Sequence, residues 1–372
     1  MTDAYHAPRI FDGTDWHEAA ALVVEGGRVA GLVPQADAPD GMRLEGTLVP
    51  GFVDLQVNGG GGVLFNNDPT PGGIAAICAA HARLGTTGVM VTLITDRPEV
   101  TRRAIEAARA ADHPAFLGLH LEGPHIALSR KGTHDPALVR PMTSDDLSLL
   151  TEAARTLPHL ICTLAPEAVS TAQIEALVRA GATVSLGHTD CDHGTARRAA
   201  DAGATMVTHL FNAMSPLTHR APNLVGAALD DGRFWAGLIA DGFHVDPAAL
   251  RIALRAKAGP GRMFLVSDAM SSVGSDLTEL SLNGRRILRR DGRLTLEDGT
   301  LAGADIALMD AVRVLSAMIP PEEALALAAL APAEALGLCD RGHLRTGARA
   351  DFTCLADDLQ SCATWIGGAR VA

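Results

Sequence analysis

The chain has 372 residues, of which 47% are hydrophobic and 3% aromatic, and it carries a net charge of −12 at pH 7. That length suits one large barrel-type domain plus a smaller one, with a core of aliphatic side chains. The acidic balance and the absence of a Lys/Arg run exclude nucleic acid as an expected partner, although a small anionic substrate stays compatible with them.

The ends and apolar runs of the chain predict a cytoplasmic protein that has no contact with a membrane. Residues 1–16 lack a basic stretch followed by an apolar one, so we expect no secretory signal. No apolar run approaches the roughly 18–20 residues that cross a bilayer. The six cysteines are scattered without a C-x-x-C pair, which is typical of reduced cysteines in the cytoplasm.

The two ends of the chain share a pattern of short strands and tight turns. Residues 20–34, AALVVEGGRVAGLVP, place two apolar runs around Glu-Gly-Gly-Arg, which predicts a β-hairpin. The C-terminal segment repeats such a turn in WIGGARV. We therefore predict a small β-sandwich-like domain built from residues 1–49 and 345–372.

Residues 50–344 repeat a helix, a glycine and an apolar strand. Gly85, Gly181 and Gly203 fit the position just past a helix, where a left-handed backbone closes the last turn. The apolar runs are continuous, as in parallel strands buried on both faces. Eight of them favour a (β/α)8 barrel of the α/β class over a doubly wound sheet, whose phosphate-binding Gly spacing is absent. The eight runs are GFVDLQV, GVMVTLI, AFLGLHL, HLICTLA, ATVSLG, ATMVTH, WAGLIA and RMFLVS.

Residues 276–300 interrupt this alternation after the eighth strand. One Asn-Gly and two Asp-Gly pairs separate short apolar runs there. Such turns predict an inserted β-hairpin or meander within the barrel domain.

Polar side chains follow six of the predicted strands at their carboxyl ends. In a parallel barrel all these ends lie on one rim, so we expect the side chains to converge. A single histidine there is more often structural, and a single aspartate often caps the next helix. The whole set is harder to explain by such local needs. It comprises Gln56, Asn58, Glu122, His188, His209, Asp241, His244 and Asp268.

Three members of this set predict a metal centre. One carboxylate and two imidazoles, from Glu122, His188 and His209, are ligands for a divalent transition metal such as zinc, with a position left for water. Such an ion makes water reactive near neutral pH. Asp268 is then available to accept the proton of that water and to return it to a departing amine.

Eight segments between residues 48 and 310 match, in order, the motifs of a known enzyme family. They are LVPGFVDLQVNGGGG, GLHLEGPHI, KGTHDP, SLGHTD, THLFNAMSPL, IADGFHVDP, LVSDAM and TLAGADIALMD. On these motifs the chain resembles the N-acetylglucosamine-6-phosphate deacetylases of the amidohydrolase superfamily. The resemblance implies hydrolysis of the acetamide of N-acetyl-D-glucosamine 6-phosphate to D-glucosamine 6-phosphate and acetate.

The resemblance also implies a role for each matching residue. Glu122, His188 and His209 would hold one divalent ion per subunit, with zinc expected and iron, cobalt or manganese as alternatives. Asp268 would be the acid/base, and His134 would contact the sugar and stabilise the oxyanion. The further implied contacts to the substrate are Asn212, Ala213, Arg220, His244, Leu301, Ala302 and Gly303.

The phosphate-binding positions imply a homodimer. In the family that the chain resembles, the phosphate is held by residues matching His244 and Arg220, with the arginine reaching in from a neighbouring subunit. His219, beside Arg220, is an alternative for the same role.

The first strand departs from a pattern that many amidohydrolases share. They carry His-x-His there and bind two metals, whereas this chain has Gln56-x-Asn58. Amides are poor ligands for a zinc-type ion, so we predict a single-metal site. We expect His120 to support the site or the core, and we expect no role for His125 and Cys191.

Two other functions stay open at this point. One is an amidohydrolase that acts on an N-acyl amino acid or a cyclic amide, which the KGTH, FNAM and DGFHVD motifs disfavour. The other is a non-catalytic amidohydrolase-like scaffold, which the presence of all four metal and acid/base positions disfavours.

Overall fold

The computed structural model describes residues 2–372, and its N-terminal part consists of strands. Gly26 and Gly27, both with positive φ, form the two-residue turn of the predicted hairpin between the second and third strands. The strands are β1 (Thr2–Phe11), β2 (Trp16–Glu25), β3 (Arg28–Pro34), β4 (Met42–Arg43) and β5 (Thr47–Pro50).

The central part alternates strands and helices. Its elements are β6 (Phe52–Val57), β7 (Gly59–Gly60), β8 (Val63–Leu64), α1 (Pro71–Ala82), β9 (Thr86–Ile94), α2 (Pro98–Arg109), β10 (Phe116–Glu122), α3 (Ser144–Thr156), β11 (Leu160–Leu164), α4 (Thr171–Arg179), β12 (Thr183–Leu186), α5 (His193–Asp201), β13 (Met206–Val207), α6 (Asn223–Asp230), β14 (Trp235–Leu238), α7 (Pro247–Ala256) and β15 (Met263–Leu265).

The C-terminal part adds a small sheet, three helices and three more strands. These are β16 (Glu279–Leu282), β17 (Arg285–Arg290), β18 (Arg293–Leu296), α8 (Leu308–Ser316), α9 (Pro321–Ala328), α10 (Leu330–Ala335), β19 (Phe352–Leu355), β20 (Ser361–Ile366) and β21 (Ala369–Arg370).

Eight parallel strands form a barrel in the order β6-β9-β10-β11-β12-β13-β14-β15. They match the eight predicted runs, with β9 beginning two residues earlier and β10 ending one residue later than predicted. The predicted fold class, a (β/α)8 barrel with a small β domain, is confirmed. Next to β15 the ring closes on β6, because Asp268 N donates to Gln56 O at 3.0 Å and Val57 bridges to Ala269. Closure brings the ends of the first and last strands together.

The helices around the barrel begin and end at residues that the sequence marks for these positions. Thr143 and Ser170 form capping boxes with Asp146 and Gln173 at the starts of α3 and α4. The three glycines predicted to follow helices, Gly85, Gly181 and Gly203, all have positive φ. Among the helices of residues 2–372, none has both the length and the apolar character needed to cross a membrane.

Strands from both ends of the chain form a second sheet beside the barrel. Its order is β21-β20-β19-β5-β1-β2-β3, with β4 paired to β1. Its core is built around Tyr5, Phe352 and Trp365, with the last two rings stacked at a centroid distance of 4.7 Å. This sheet lies outside the site described below.

An antiparallel sheet of three strands, β16-β17-β18, lies within residues 276–300 and is called the insert here. Asn283 and Gly284, at φ 50° and 75°, form the turn between β16 and β17. Leu280, Leu282, Ile287 and Leu294 of the insert are buried in one apolar cluster with barrel residues such as Ile94 and Met270. The insert therefore covers part of the carboxyl-terminal face of the barrel.

Candidate active site

A cavity of about 370 Å³ opens at the carboxyl-terminal face of the barrel. Six of the eight side chains that the sequence placed at strand ends line it, all except Gln56 and Asp241, because β10, β12 and β13 end here and β15 ends just before Asp268. The five central residues of the cavity are Glu122, His188, His209 and Asp268 from that set together with His134, and all of them are buried. Residues up to 146 positions apart in the sequence thus share one small volume.

Three donor atoms of this cavity face one another closely. His209 Nε2 lies 2.9 Å and His188 Nε2 lies 3.4 Å from Glu122 Oε1, and the two imidazole nitrogens are 3.1 Å apart. A zinc-type ion about 2.0–2.2 Å from each of three such atoms requires separations of this size. The donor set therefore fits a divalent metal.

His134 brings a further imidazole to the edge of this cluster. Glu122, His134 and His188 have ligand atoms within 4.8 Å of one another. His134 Nε2, however, lies 3.8 Å from Glu122 Oε2, while His209 Nε2 is 2.9 Å from Glu122 Oε1. The distances therefore favour His209 over His134 as the third ligand of an ion at Glu122 Oε1.

The electrostatics of the three donors are those of a site built for a cation. Burial alone would raise the pKa of Glu122, but hydrogen bonds from His188 and His209 hold that pKa well below its usual range. Burial lowers the pKa of His209, but the hydrogen bond to the Glu122 carboxylate and its negative charge raise it by more, so the pKa lies above its usual value. The carboxylate is thus held ionised and attracts positive charge.

Backbone and side-chain contacts orient the two imidazole ligands differently. His188 Nδ1 donates to the carbonyl of Arg130 at 2.8 Å, which turns Nε2 towards Glu122, where it would bind a metal in its unprotonated form. His209 Nδ1 is buried and has no hydrogen-bond partner within residues 2–372. Its Nε2 still points to Glu122, so both rings present the same atom to the cluster.

Asp268 is tied to Glu122 through Gln56 of β6 and is held by a second amide, that of Asn58, directly after the strand. Gln56 Nε2 donates to Glu122 Oε1 at 2.9 Å and to Asp268 Oδ1 at 3.1 Å. Asn58 Nδ2 donates to the same Asp268 oxygen at 2.7 Å. Burial and the negative charge of Glu122 raise the pKa of Asp268 to about 6. A carboxyl that titrates near neutral pH suits proton transfer.

Three of the site residues have a backbone that side chains seldom adopt. His188, His209 and Asp268 have φ of 49°, 29° and 51°, in the left-handed region that favours glycine. Such strain persists where the surrounding structure holds it and is often found at functional sites. Here the sharp bend follows a barrel strand in each case.

Most of the substrate-contact positions implied by the resemblance line the cavity. Asn212, Ala213, His244, Leu301 and Gly303 do so. The side chain of Ala302 is instead buried in the apolar cluster of the insert. Arg220 and its neighbour His219 are exposed and are absent from the lining of the cavity within residues 2–372.

The three residues whose roles the sequence left aside are part of the scaffold. His120 bonds to the hydroxyls of Thr92 and Thr163, and burial lowers its pKa to about 4. His125 Nδ1 lies 3.1 Å from the carbonyl of Arg140. Cys191 is buried. His120 thus supports the strands below the metal ligands.

Some residues that shape the site escaped the sequence analysis. Thr95 follows the second barrel strand, and its Oγ1 lies 2.7 Å from His134 Nδ1. Its position after a strand was a usable signal, but a threonine there is too common to single out. The carbonyl of Arg130 accepts a hydrogen bond from His188. Two residues of the insert, Asn283 and Arg285, donate to backbone carbonyl groups near the cavity. No sequence pattern marks such contacts.

Comparisons with known proteins agree with this geometry. The chain matches the amidohydrolase family over residues 47–371. An N-acetylgalactosamine-6-phosphate deacetylase of Shewanella sp. strain ANA-3 is 39% identical over 362 residues, which cover 94% of this chain and 91% of that protein. The N-acetylglucosamine-6-phosphate deacetylase of Homo sapiens is 38% identical over 344 residues, covering 87% and 83%. The crystal structure of N-acetylglucosamine-6-phosphate deacetylase from Pasteurella multocida has a TM-score of 0.93 at 31% identity and covers 100% of this chain and 99% of that one.

Proposed function

We propose that this chain, which belongs to the amidohydrolase family, removes the acetyl group of N-acetyl-D-glucosamine 6-phosphate. The products are D-glucosamine 6-phosphate and acetate. The observation that carries the proposal is the cluster of Glu122, His188 and His209 beside Asp268 in one buried cavity. Proteins that are named for this activity are similar to this chain over most of its length, which supports the same reaction here.

The mechanism assigns separate tasks to the residues of the cavity. Glu122, His188 and His209 would hold a divalent ion, which would supply an activated water and polarise the acetamide carbonyl. Asp268 accepts a proton as the water oxygen adds to the carbonyl carbon. His134 Nε2 donates a hydrogen bond to the carbonyl oxygen while negative charge develops there. Asp268 then gives its proton to the nitrogen as the C–N bond breaks, so acetate and the free amine leave.

Replacement of Asp268 by Asn tests this assignment. The amide retains the size of the carboxyl but cannot take up the proton, so we expect kcat to fall by about 10²- to 10⁴-fold. Metal content, measured by elemental analysis, should stay as in the wild type, because Asp268 is outside the three-ligand set. Activity near that of the wild type in the variant would contradict the role of Asp268.

The epimer of the sugar needs its own experiment, because relatives acting on both epimers have similar identity. An N-acetylgalactosamine-6-phosphate deacetylase is 39% identical and an N-acetylglucosamine-6-phosphate deacetylase is 38% identical to this chain. Acetate release from the two 6-phosphates should be measured side by side with the metal-loaded enzyme. We expect the higher kcat/KM on the gluco epimer. The reverse order would assign the galacto substrate, and activity on neither would overturn the proposal.

We further propose a zinc-containing homodimer in the cytoplasm. The exposed position of Arg220 outside the cavity of its own chain supports a contribution across a subunit interface. The exposed Leu217 in the same loop provides an apolar contact for a partner. Light scattering of the purified protein should give twice the mass of the 38.6 kDa chain, and elemental analysis should find zinc.

A further inference from the structure

The insert reaches the barrel with two polar side chains in addition to its apolar contacts. Asn283 Nδ2, in the turn between β16 and β17, donates to the carbonyl of Thr95 at 3.1 Å. Arg285, at the start of β17, donates from Nη2 to the carbonyl of Thr133. Both donors therefore end on backbone groups close to the cavity.

The two carbonyl groups belong to the residues that hold His134. Thr133 precedes His134 directly, and Thr95 contacts the imidazole through its side chain, with Oγ1 2.7 Å from Nδ1. His134, Thr95 and Thr133 are all buried. The ring of His134 thus contacts Thr95, and its backbone is joined to Thr133. The insert binds both of these residues, although it is about 150 positions away from Thr133 in the sequence.

The register of β17 explains why Arg285 can make this contact and its neighbour cannot. Side chains alternate along a strand, so Arg285 shares a face with the buried Ile287, while Arg286 points away. Arg286 instead forms an exposed ion pair with Glu279. Arg285 has, in contrast, a buried Nε that finds no partner within residues 2–372. Its Nη2 donates to the carbonyl of Thr133, and this bond holds the guanidinium in place.

We propose that the insert sets the position of His134, with Arg285 and Asn283 as positioning residues that act on it through the backbone of Thr133 and Thr95. This inference rests on the proposed function, because it concerns the group that binds the acetamide oxygen. Arg285 itself is absent from the lining of the cavity in the described chain, so it does not act by touching the substrate.

The test compares Arg285→Met with Arg286→Met in the metal-loaded enzyme. Arg285→Met keeps an apolar stem but loses the donor, and we expect kcat to fall about 10- to 100-fold with KM within about twofold of the wild type, because a misplaced catalytic group costs rate rather than affinity. Arg286→Met, the matched control on the other face, should leave both constants unchanged. Arg285→Lys, whose ammonium can donate to the same carbonyl, should recover part of the rate.

The split between the two constants separates positioning from damage to the insert. Thr300, Leu301 and Gly303, which directly follow β18, line the cavity, so a displaced insert would raise KM as well. A rise of KM together with a loss of thermal stability in Arg285→Met would overturn the proposal, and so would a kcat equal to that of Arg286→Met.

A double variant asks whether Arg285 acts through His134. If it does, adding Arg285→Met to His134→Asn should change the residual rate by less than twofold, whereas independent effects would multiply. Multiplied losses would contradict the inference even if the deacetylase activity itself is established. A wild-type enzyme that releases no acetate from either amino-sugar phosphate would instead refute the proposed function, and the inference with it.

Discussion

His134 Nδ1 contacts one neighbouring hydroxyl group, Thr95 Oγ1, at 2.7 Å. A neutral imidazole has one ring proton, and donation to the acetamide oxygen requires that proton on Nε2, with Nδ1 accepting from Thr95. The Thr95 hydroxyl can also donate to the carbonyl of Glu122, 3.1 Å away, so this tautomer requires the hydroxyl to turn from that carbonyl to His134. Burial, which lowers the pKa of His134 well below its usual value, keeps the ring neutral.

The phosphate of the substrate gives a prediction for His244 and Arg220. His244 lines the cavity and is held by Asp241, whose Oδ2 lies 2.6 Å from Nδ1. We expect His244→Ala or Arg220→Met to raise KM for the phosphorylated sugar by at least about tenfold, since each removes a hydrogen bond to a charged group. KM for unphosphorylated N-acetylglucosamine should hardly change. His219→Ala tests the alternative, because a rise of KM in that variant and not in Arg220→Met would assign the contact to His219. Equal losses on both sugars would contradict the assignment.

The closure of the barrel between its first and last strands depends on a buried carboxyl group. Asp54 of β6 is fully buried and accepts from the backbone N–H of Gln56 and of Ser267, each at 3.2 Å. Ser267 directly precedes Asp268, and the side chain of Gln56 donates to the Asp268 carboxylate. Asp54 thus links the two segments that place the acid/base, although it is not part of the cavity lining.

This buried carboxyl predicts a pH dependence of stability. Burial raises the pKa of Asp54 from 3.8 to about 7, so the folded state keeps a proton that the unfolded state loses. The contribution of Asp54 to the free energy of unfolding should therefore be greatest below about pH 4, fall as the pH rises towards 7, and level off above it, by at most about 4 kcal/mol. Urea unfolding at several pH values should show this slope in the difference between the wild type and Asp54→Asn, but not in the difference between the wild type and the exposed control Asp40→Asn. Parallel curves for Asp54→Asn and the wild type would refute it.

The elements themselves were largely predictable from the sequence, whereas their contacts across the barrel were not. Continuous apolar runs and the glycines after helices identified all eight barrel strands, because both signals are local. The Asn-Gly pair at 283–284 located a turn for the same reason. That the side chain of Asn283 also bonds to Thr95 follows only from the folded arrangement, since the two residues are 188 positions apart.

At the scale of the whole molecule, the barrel brings residues that are far apart in the sequence together in one site. Glu122, His188, His209 and Asp268 were predicted to meet because all parallel strands end on one rim, and the structure brings them together in one cavity. The left-handed backbone of His188 and His209 was not predictable, because residues other than glycine seldom adopt it, even though histidine is enriched among those that do. A resemblance at the motif level indicated which residues matter, and only the fold shows how they are held.

The number of metal ions per chain is the last prediction. Gln56 and Asn58 direct amide N–H groups at the carboxylates of Glu122 and Asp268, so donors stand where a second cation would otherwise balance their charge. We therefore expect elemental analysis after dialysis to find one tightly held divalent ion per chain, and calorimetric titration of the metal-free protein to saturate at one. The double variant Gln56→His/Asn58→His, which places one imidazole on β6 and one directly after it, should take up a second ion. Two tightly held ions in the wild type would contradict the prediction, because the amides would then have to turn their oxygens towards a metal.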